Sequence, residues 1–142
     1  MSDNIELRPT RLEDLELMLA WRSDPEIYEH FREQQEPLNW EDHVNWFINR
    51  PPDRHDFIIE YRGRRVGSVN VDKKDYIGVY IGEKSLWGQG IATETIEHVC
   101  DILERAEFYA EIHIENTASQ NLFEKCGFKK IDEYNDWLKY RR

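Results

Sequence analysis

The stretch that decides the fold is SLWGQGIATET, residues 85–95. The segment behind it, residues 76–81, is apolar and uncharged, which predicts a strand in the middle of a sheet. In the segment ahead of it, residues 92–106, apolar side chains recur at steps of three and four, which predicts a helix with one buried face. Gly88 and Gly90 therefore stand in a strand-to-helix turn.

Two interpretations of this glycine turn are open from these residues alone. The first N–H groups of a helix have no partner inside the helix and carry a partial positive charge, so they bind anions, and glycines let a ligand approach the backbone closely. The turn lacks the Gly-Lys-Ser/Thr of a Walker motif and the third glycine of the dinucleotide fingerprint. The other interpretation is a tight turn without a ligand.

Hydrophobic periodicity and turn residues predict the rest of the chain. The predicted strands are 5–8, 57–61, 66–71, 76–81, 110–114, 128–134 and 137–140, and the predicted helices are 12–21, 26–31, 40–48, 92–106 and 117–126, the last closed by Gly127. This order predicts a single α/β (α+β) domain over residues 1–142, with helices flanking a mixed sheet.

Composition restricts the class of protein. The chain has 142 residues, of which 39% are hydrophobic, so we expect a folded core. Its net charge of −10 argues against binding to nucleic acid through phosphates. We expect no membrane segment and no signal peptide, and the two cysteines and five histidines show no metal-ligand spacing. The prediction is a cytoplasmic protein with reduced thiols and no metal.

A second motif, IENTASQNLFEKCGF at residues 114–128, runs from a strand through Asn116 into a helix and ends at Gly-Phe. Asn116 stands where the strand meets the helix. Its side chain can cap the helix or can bond to an amide of a ligand.

Together the two motifs resemble the GNAT superfamily of acyl-CoA-dependent N-acyltransferases. Residues 85–90 match its pyrophosphate loop Gln/Arg-x-x-Gly-x-Gly/Ala, although Ser85 replaces the Gln or Arg. Asn116 and residues 119–128 match its second signature. The segments WGQGIATE and AWRSDPEI are similar to two branches, the ribosomal-protein-type N-terminal acetyltransferases and, slightly more so, the N-acetyltransferases of nucleotide-linked amino sugars.

The resemblance implies that acetyl-CoA, the co-substrate, lies in a V-shaped cleft between two splayed parallel strands, residues 76–81 and 110–115. Backbone groups of the first strand would pair with the pantetheine arm. An N–H near Tyr80 or Ile81 would stabilise the oxyanion, and such a donor contributes roughly 3 kcal/mol. The residues expected to bind acetyl-CoA are Val79, Tyr80, Ile81, Leu86, Trp87, Gly88, Gln89, Gly90, Ile91, Ala92, Thr93, Asn116, Asn121, Phe123 and Lys125.

Glu111 is the candidate base, because the cleft strand carries a catalytic Glu in some relatives. Strand alternation places Glu111, His113 and Glu115 on one face. His113 is an alternative base, and a solvated carboxylate without a catalytic role is the other alternative for Glu111.

Phe123 departs from the family pattern, because the family often has a tyrosine there as the acid that protonates the CoA thiolate. Phe cannot donate a proton. Tyr80 is the group we assign as a second catalytic residue, with Tyr134, Cys126 and water as alternatives, and the thiolate can also leave unassisted. Phe123 would then only pack against CoA.

The predicted activity is transfer of an acetyl group to a primary amine, on an amino sugar or on a peptide N-terminus. Arg22 and Arg32, near the expected acceptor side, are either surface charges or contacts to a phosphate or carboxylate. A degenerate acyl-CoA sensor and a nucleotide-binding domain of another class are the alternatives. Relatives are often dimers, so a homodimer is an open possibility.

Overall fold

In the computed structural model, residues 4–32 and 34–142 are described. The strands are β1 Ile5–Pro9, β2 His55–Tyr61, β3 Arg64–Val71, β4 Ile77–Ile81, β5 Tyr109–His113, β6 Lys129–Tyr134 and β7 Trp137–Arg141. The helices are α1 Leu15–Arg22, α2 Pro25–Tyr28, α3 Trp40–Ile48, α4 Ile91–Leu103 and α5 Thr117–Lys125. This order confirms the predicted α+β architecture.

The strands form two antiparallel sheets, with the orders β1-β2-β3-β4 and β5-β7-β6. The sheets meet where Tyr76 and Tyr109 form a parallel bridge and the Tyr109 N–H donates to the Asp75 carbonyl at 2.8 Å. Within the described residues, β4 and β5 form no further backbone pairing beyond this bridge. The parallel pair therefore splays open towards the ends of both strands.

Helices cover both faces of the first sheet. Ile59 of β2 and the inward side chains of β4 pack in one core with α4 and α5, whereas Ile58 packs in a second core with α1 and α2. Trp21 of α1 lies against Gly82, where an added Cβ would stand 2.2 Å from the indole ring. Glycine at position 82 thus lets α1 reach the end of β4, beside the mouth of the splayed pair.

Several predicted boundaries differ from the structure by a few residues. The first helix begins with a separate 3-10 turn, Leu12–Asp14, because the buried Asp14 carboxylate accepts the Arg11 N–H at 2.8 Å. Helix α4 stops at Leu103 rather than at residue 106, because Glu104 adopts a left-handed conformation with φ of 45°. The predicted end of α5 is confirmed, since Gly127 has φ of 87°.

Cys100 and Cys126 are free and buried. Burial raises the pKa of both thiols to about 11. Among the described residues, no helix has the length and apolar character needed to cross a bilayer.

Candidate active site

The edge of β4 that faces β5 offers unpaired backbone groups. The Gly82 N–H donates to the Val66 carbonyl at 2.7 Å, continuing the register of β4 with β3. Because alternate residues of an antiparallel strand direct their backbone groups to opposite sides, even-numbered residues of β4 bond to β3 and odd-numbered ones point away. Val79 and Ile81 therefore present their backbone groups to the cleft.

The Trp87 side chain forms a hydrogen bond with one of these cleft-facing backbone groups. Its indole Nε1 donates to the Ile81 carbonyl at 2.8 Å, which leaves the Ile81 N–H directed at the cleft. The backbone of Tyr80 faces its partner Ser68 on β3 instead. Of the two predicted positions for an oxyanion donor, the structure thus directs Ile81 into the cleft.

A 3-10 turn, Lys84–Leu86, leads from β4 into the glycine turn. Two of the N–H groups predicted to bind pyrophosphate are used inside this turn. The Leu86 N–H donates to the Glu83 carbonyl at 3.0 Å, and the Trp87 N–H donates to the Lys84 carbonyl at 3.1 Å. An anion at this turn would therefore meet the N–H groups that follow Trp87.

Gly88 and Gly90 both have left-handed backbones, with φ of 79° and 82°. An added Cβ at either position would meet no atom within 4 Å, so the space above the turn is open. In the part of the chain that is described, the Gly88, Gln89 and Gly90 N–H groups donate to no backbone carbonyl. No described side chain caps the following helix, so the first N–H groups of α4, residues 91–93, also point outward. This cradle fits a phosphate.

Across the cleft, Glu111 lies at the centre of a polar cluster. The Tyr134 hydroxyl donates to Glu111 Oε2, and Arg32 Nη1 lies 2.5 Å from the same oxygen. The Arg32 guanidinium also lies over the Tyr134 ring, 5.6 Å from its centroid, and over the Trp137 ring at 5.3 Å. The Glu111 side chain is 23% exposed, so this carboxylate is held on one side and accessible on the other.

Two histidines extend this cluster. The His30 and His113 rings stack at 5.4 Å, and His113 meets Trp137 edge-on at 5.1 Å. With Glu115 they place three potential metal ligands within 4.8 Å of one another, although the sequence showed no ligand spacing. The Glu115 N–H donates to His113 Nδ1 at 3.1 Å, so this ring nitrogen already accepts a hydrogen bond. The two rings also pack against each other, and His113 packs against Trp137.

The comparison with known families decides the class. A family model described as the acetyltransferase (GNAT) domain matches residues 4–129. The chain belongs to the GNAT family of acetyltransferases.

Relatives of this GNAT chain agree in sequence and in fold. It is 41% identical over 138 residues to the uncharacterized protein MJ1062 of Methanocaldococcus jannaschii, covering 88% of this chain but only 28% of that protein. A crystallised domain from Methanocaldococcus jannaschii matches with a TM-score of 0.90 at 39% identity, covering 97% of both chains. The spermidine N-acetyltransferase of Vibrio cholerae, solved with CoA and spermine, matches at 0.79 and 18% identity, covering 99% of this chain and 94% of that one. The last similarity shows the fold alone.

The residues at and on helix α5 that were predicted to bind the cofactor have different surroundings in the structure. Asn116 caps α5, because its side chain accepts the Ser119 N–H at 3.1 Å. This is the capping role that the sequence left open beside ligand binding. Asn121 and Lys125 lie exposed on the same helix.

Phe123 lies away from the cleft surface. It is 4% exposed and packs edge-to-face against Phe128 at 5.0 Å, inside the main core. The ring at the position where the family often has a tyrosine therefore contributes to packing inside the main core, which also contains the predicted cofactor residues Ile81 and Ile91.

Tyr80 and Cys126 are poorly placed as acids. The Tyr80 hydroxyl is buried, and among residues 4–32 and 34–142 it has no hydrogen-bond partner of normal geometry, although Ser68 stands opposite on β3. Burial raises the pKa of Tyr80 well above its usual value. A group with a raised pKa gives up its proton less readily, and the same holds for the buried Cys126 thiol.

Arg32 and Tyr134 are described site residues whose roles sequence reasoning missed. Arg32 was considered only as a surface charge or an anion contact, and Tyr134 only as an alternative acid. The register of β7 carries the missing signal, because β7 lies between β5 and β6 and pairs Trp137 with both His113 and Tyr134. That register follows from how the three strands associate, which the sequence pattern left undetermined.

Proposed function

We propose that this GNAT domain transfers the acetyl group of acetyl-CoA to a primary amine by direct attack in a ternary complex. The observation that carries the proposal is the position of the Glu111 carboxylate on β5, across the splayed pair from the cleft-facing backbone of Val79 and Ile81. Membership of the GNAT family supports the reaction class.

In this proposal the two walls of the cleft have different roles, of which the first is to bind the cofactor. The Val79 backbone pairs with the pantetheine arm, and the N–H groups from Gly88 to Thr93 hold the pyrophosphate. Asn121 and Lys125 lie exposed on α5 and remain candidate contacts to the cofactor. The Ile81 N–H donates to the thioester oxygen and stabilises the oxyanion, for which a single donor contributes roughly 3 kcal/mol.

The Glu111 carboxylate is the proton acceptor in this proposal. Its carboxylate takes a proton from the acceptor ammonium, and the freed nitrogen lone pair attacks the thioester carbonyl carbon. A C–N bond forms, the attacking nitrogen loses its second proton to water as the C–S bond breaks, and the sulfur leaves as a thiolate that is protonated from solvent. An ordinary thiol has a pKa of about 8.5, so departure without a protein acid is feasible near neutral pH.

The acceptor class that we propose is an amino sugar of a nucleotide sugar or the N-terminus of a protein. Support comes from the similarity of residues 20–27 and 87–94 to those two branches of the superfamily. A screen of both classes, with release of CoA thiol as the signal, separates them. Binding of acetyl-CoA without turnover of any amine would instead favour an acyl-CoA sensor.

The decisive test is Glu111→Gln. We expect turnover to fall by about 10²–10⁴-fold, the usual contribution of general acid–base catalysis, with unchanged affinity for acetyl-CoA in a calorimetric titration. Glu115→Gln is the matched control, since Glu115 is an exposed glutamate just beyond the same strand. Equal rates in both variants would remove Glu111 as the base.

A further inference from the structure

The surroundings of Arg32 form a cation cage, which we define as the Glu111 carboxylate with the rings of Tyr134 and Trp137. The guanidinium contacts all three, through the 2.5 Å ion pair and the two ring contacts. A carboxylate flanked by aromatic faces is the combination that binds organic cations, because the negative charge and the ring quadrupoles act in the same direction.

The walls of the cage are built on a sheet and are rigid relative to their occupant. Glu111 lies on β5, Tyr134 on β6 and Trp137 on β7, the strand that pairs with both of the others. Tyr134 and Trp137 are direct partners in that register. The cage is therefore formed without help from Arg32, which enters it from the segment that follows α2.

The side chain of Arg32 is held weakly in the cage, whereas its backbone is anchored by the packing of the preceding residue. The Arg32 side chain is 47% exposed, and ion pairs with that much solvent access contribute little to stability. The preceding residue, Phe31, packs against Tyr80 at 5.7 Å in the second core. The guanidinium can thus leave the cage by rotation of its own side chain, with no opening of the surrounding segment.

We propose that the cation cage is the subsite for the protonated acceptor amine, and that Arg32 is an internal occupant which the acceptor displaces. This rests on the proposed role of Glu111 as base, since an ammonium in the cage stands against the carboxylate that takes its proton. Occupancy by Arg32 lowers the apparent affinity for the amine, because only the fraction of molecules with an empty cage can bind it.

Two other roles for Arg32 predict no gain in affinity for a simple ammonium. If Arg32 mainly holds Glu111 in position, its removal weakens catalysis and gives a cation no advantage. If Arg32 binds an anionic part of the acceptor, its removal leaves the affinity for a simple ammonium unchanged. A gain in affinity for a simple ammonium after removal of the guanidinium therefore distinguishes the displaced occupant from both alternatives.

The test is a titration with ethylammonium chloride, followed through the indole N–H signal of Trp137 in the NMR spectrum of the isotope-labelled protein, with potassium chloride as the ionic control. We expect Arg32→Gln to lower the half-saturating ethylammonium concentration about fivefold, the factor that a partly exposed ion pair contributes. Arg11→Gln is the matched control, because Arg11 forms an exposed pair with Glu13 outside the cage. The gain should disappear in Arg32→Gln combined with Glu111→Gln.

An unchanged or higher half-saturating concentration in Arg32→Gln would overturn the inference, and so would a gain that survives loss of the Glu111 charge. Release of CoA from acetyl-CoA with ethylamine, measured on the same samples, tests the proposed function separately. A gain in cation binding in Arg32→Gln, together with full turnover in Glu111→Gln, would reject Glu111 as the base while keeping the cage.

Discussion

At the scale of single residues, Glu111 shows how neighbours give one carboxylate a defined geometry. Strand alternation turns its side chain away from the core formed by Ala110 and Ile112. The Tyr134 hydroxyl then fixes the orientation of the carboxylate by donating to Oε2. Tyr134 is in this reading a positioning residue, because it acts on the base rather than on the reacting atoms.

Tyr134→Phe tests that role. The hydrogen bond to a charged group contributes about 1.5–3 kcal/mol, so its loss should reduce kcat roughly tenfold or more. The ring stays in place, so the ethylammonium titration should remain unchanged. Steady-state kinetics against Tyr109→Phe provides the control, because Tyr109 donates to Glu107 at the other end of β5. Similar losses in both variants would assign the effect to general destabilisation.

At the scale of elements, the start of α4 combines a conformational and a functional requirement. Gly88 and Gly90 have left-handed φ values that other residues adopt only with strain. The open space above them and the uncapped helix start give the same turn the geometry of an anion site. The two interpretations from the sequence are therefore compatible, since the tight turn is what exposes the N–H groups.

Gly88→Asp separates strain from ligand binding. Gly63→Asp is a close control, because Gly63 has φ of 80° and equally open surroundings at the β2–β3 turn. Both variants should lose about 1 kcal/mol of stability to backbone strain. Calorimetry should show loss of acetyl-CoA binding only in Gly88→Asp, where a carboxylate enters the cradle. Retained affinity in a folded Gly88→Asp would reject the cradle.

At the scale of the whole molecule, a buried carboxylate joins the ends of distant segments. Asp14 is fully buried and accepts hydrogen bonds from Arg8 of β1 at 2.8 Å and from Arg65 of β3 at 3.2 Å. Desolvation alone would raise the pKa of Asp14, but the hydrogen bonds from Arg8, the Arg11 N–H and Arg65 outweigh it and lower the pKa. The charged form of Asp14 therefore stabilises the fold.

The pKa of Asp14 is lower in the folded than in the unfolded protein. Its contribution to the free energy of unfolding is therefore complete at pH values above the unfolded pKa of about 4, and it is lost as the pH falls through the folded pKa. Asp14→Asn should cost about 3 kcal/mol at neutral pH, since it leaves the arginines without their buried partner. Urea unfolding at several pH values should show that the difference in unfolding free energy between Asp14→Asn and the wild type becomes smaller below about pH 4. A gap independent of pH would contradict the assignment, and Glu13→Gln, an exposed neighbour, serves as the control.

The sequence by itself determined the features that depend on local backbone chemistry. The order of strands and helices, the Gly127 end of α5 and the glycine turn all follow from side-chain periodicity and from φ values that glycine tolerates. The two motifs around Gly88 and Asn116 were sufficient to indicate the GNAT family, which the family model confirms. These signals arise between residues that are close together in the sequence, so they can be recognised without the tertiary structure.

Only the tertiary structure decided how the candidate site is assembled. The pairing of Arg32 with Glu111, the orientation of Ile81 rather than Tyr80 into the cleft, and the burial of Phe123 depend on register and packing between elements distant in the chain. Helix α4 was overpredicted for a local reason, since the pattern of apolar residues continued past the point where the left-handed Glu104 turns the backbone. Residue types and spacing show which side chains are available, but their contacts arise when the two sheets meet and splay.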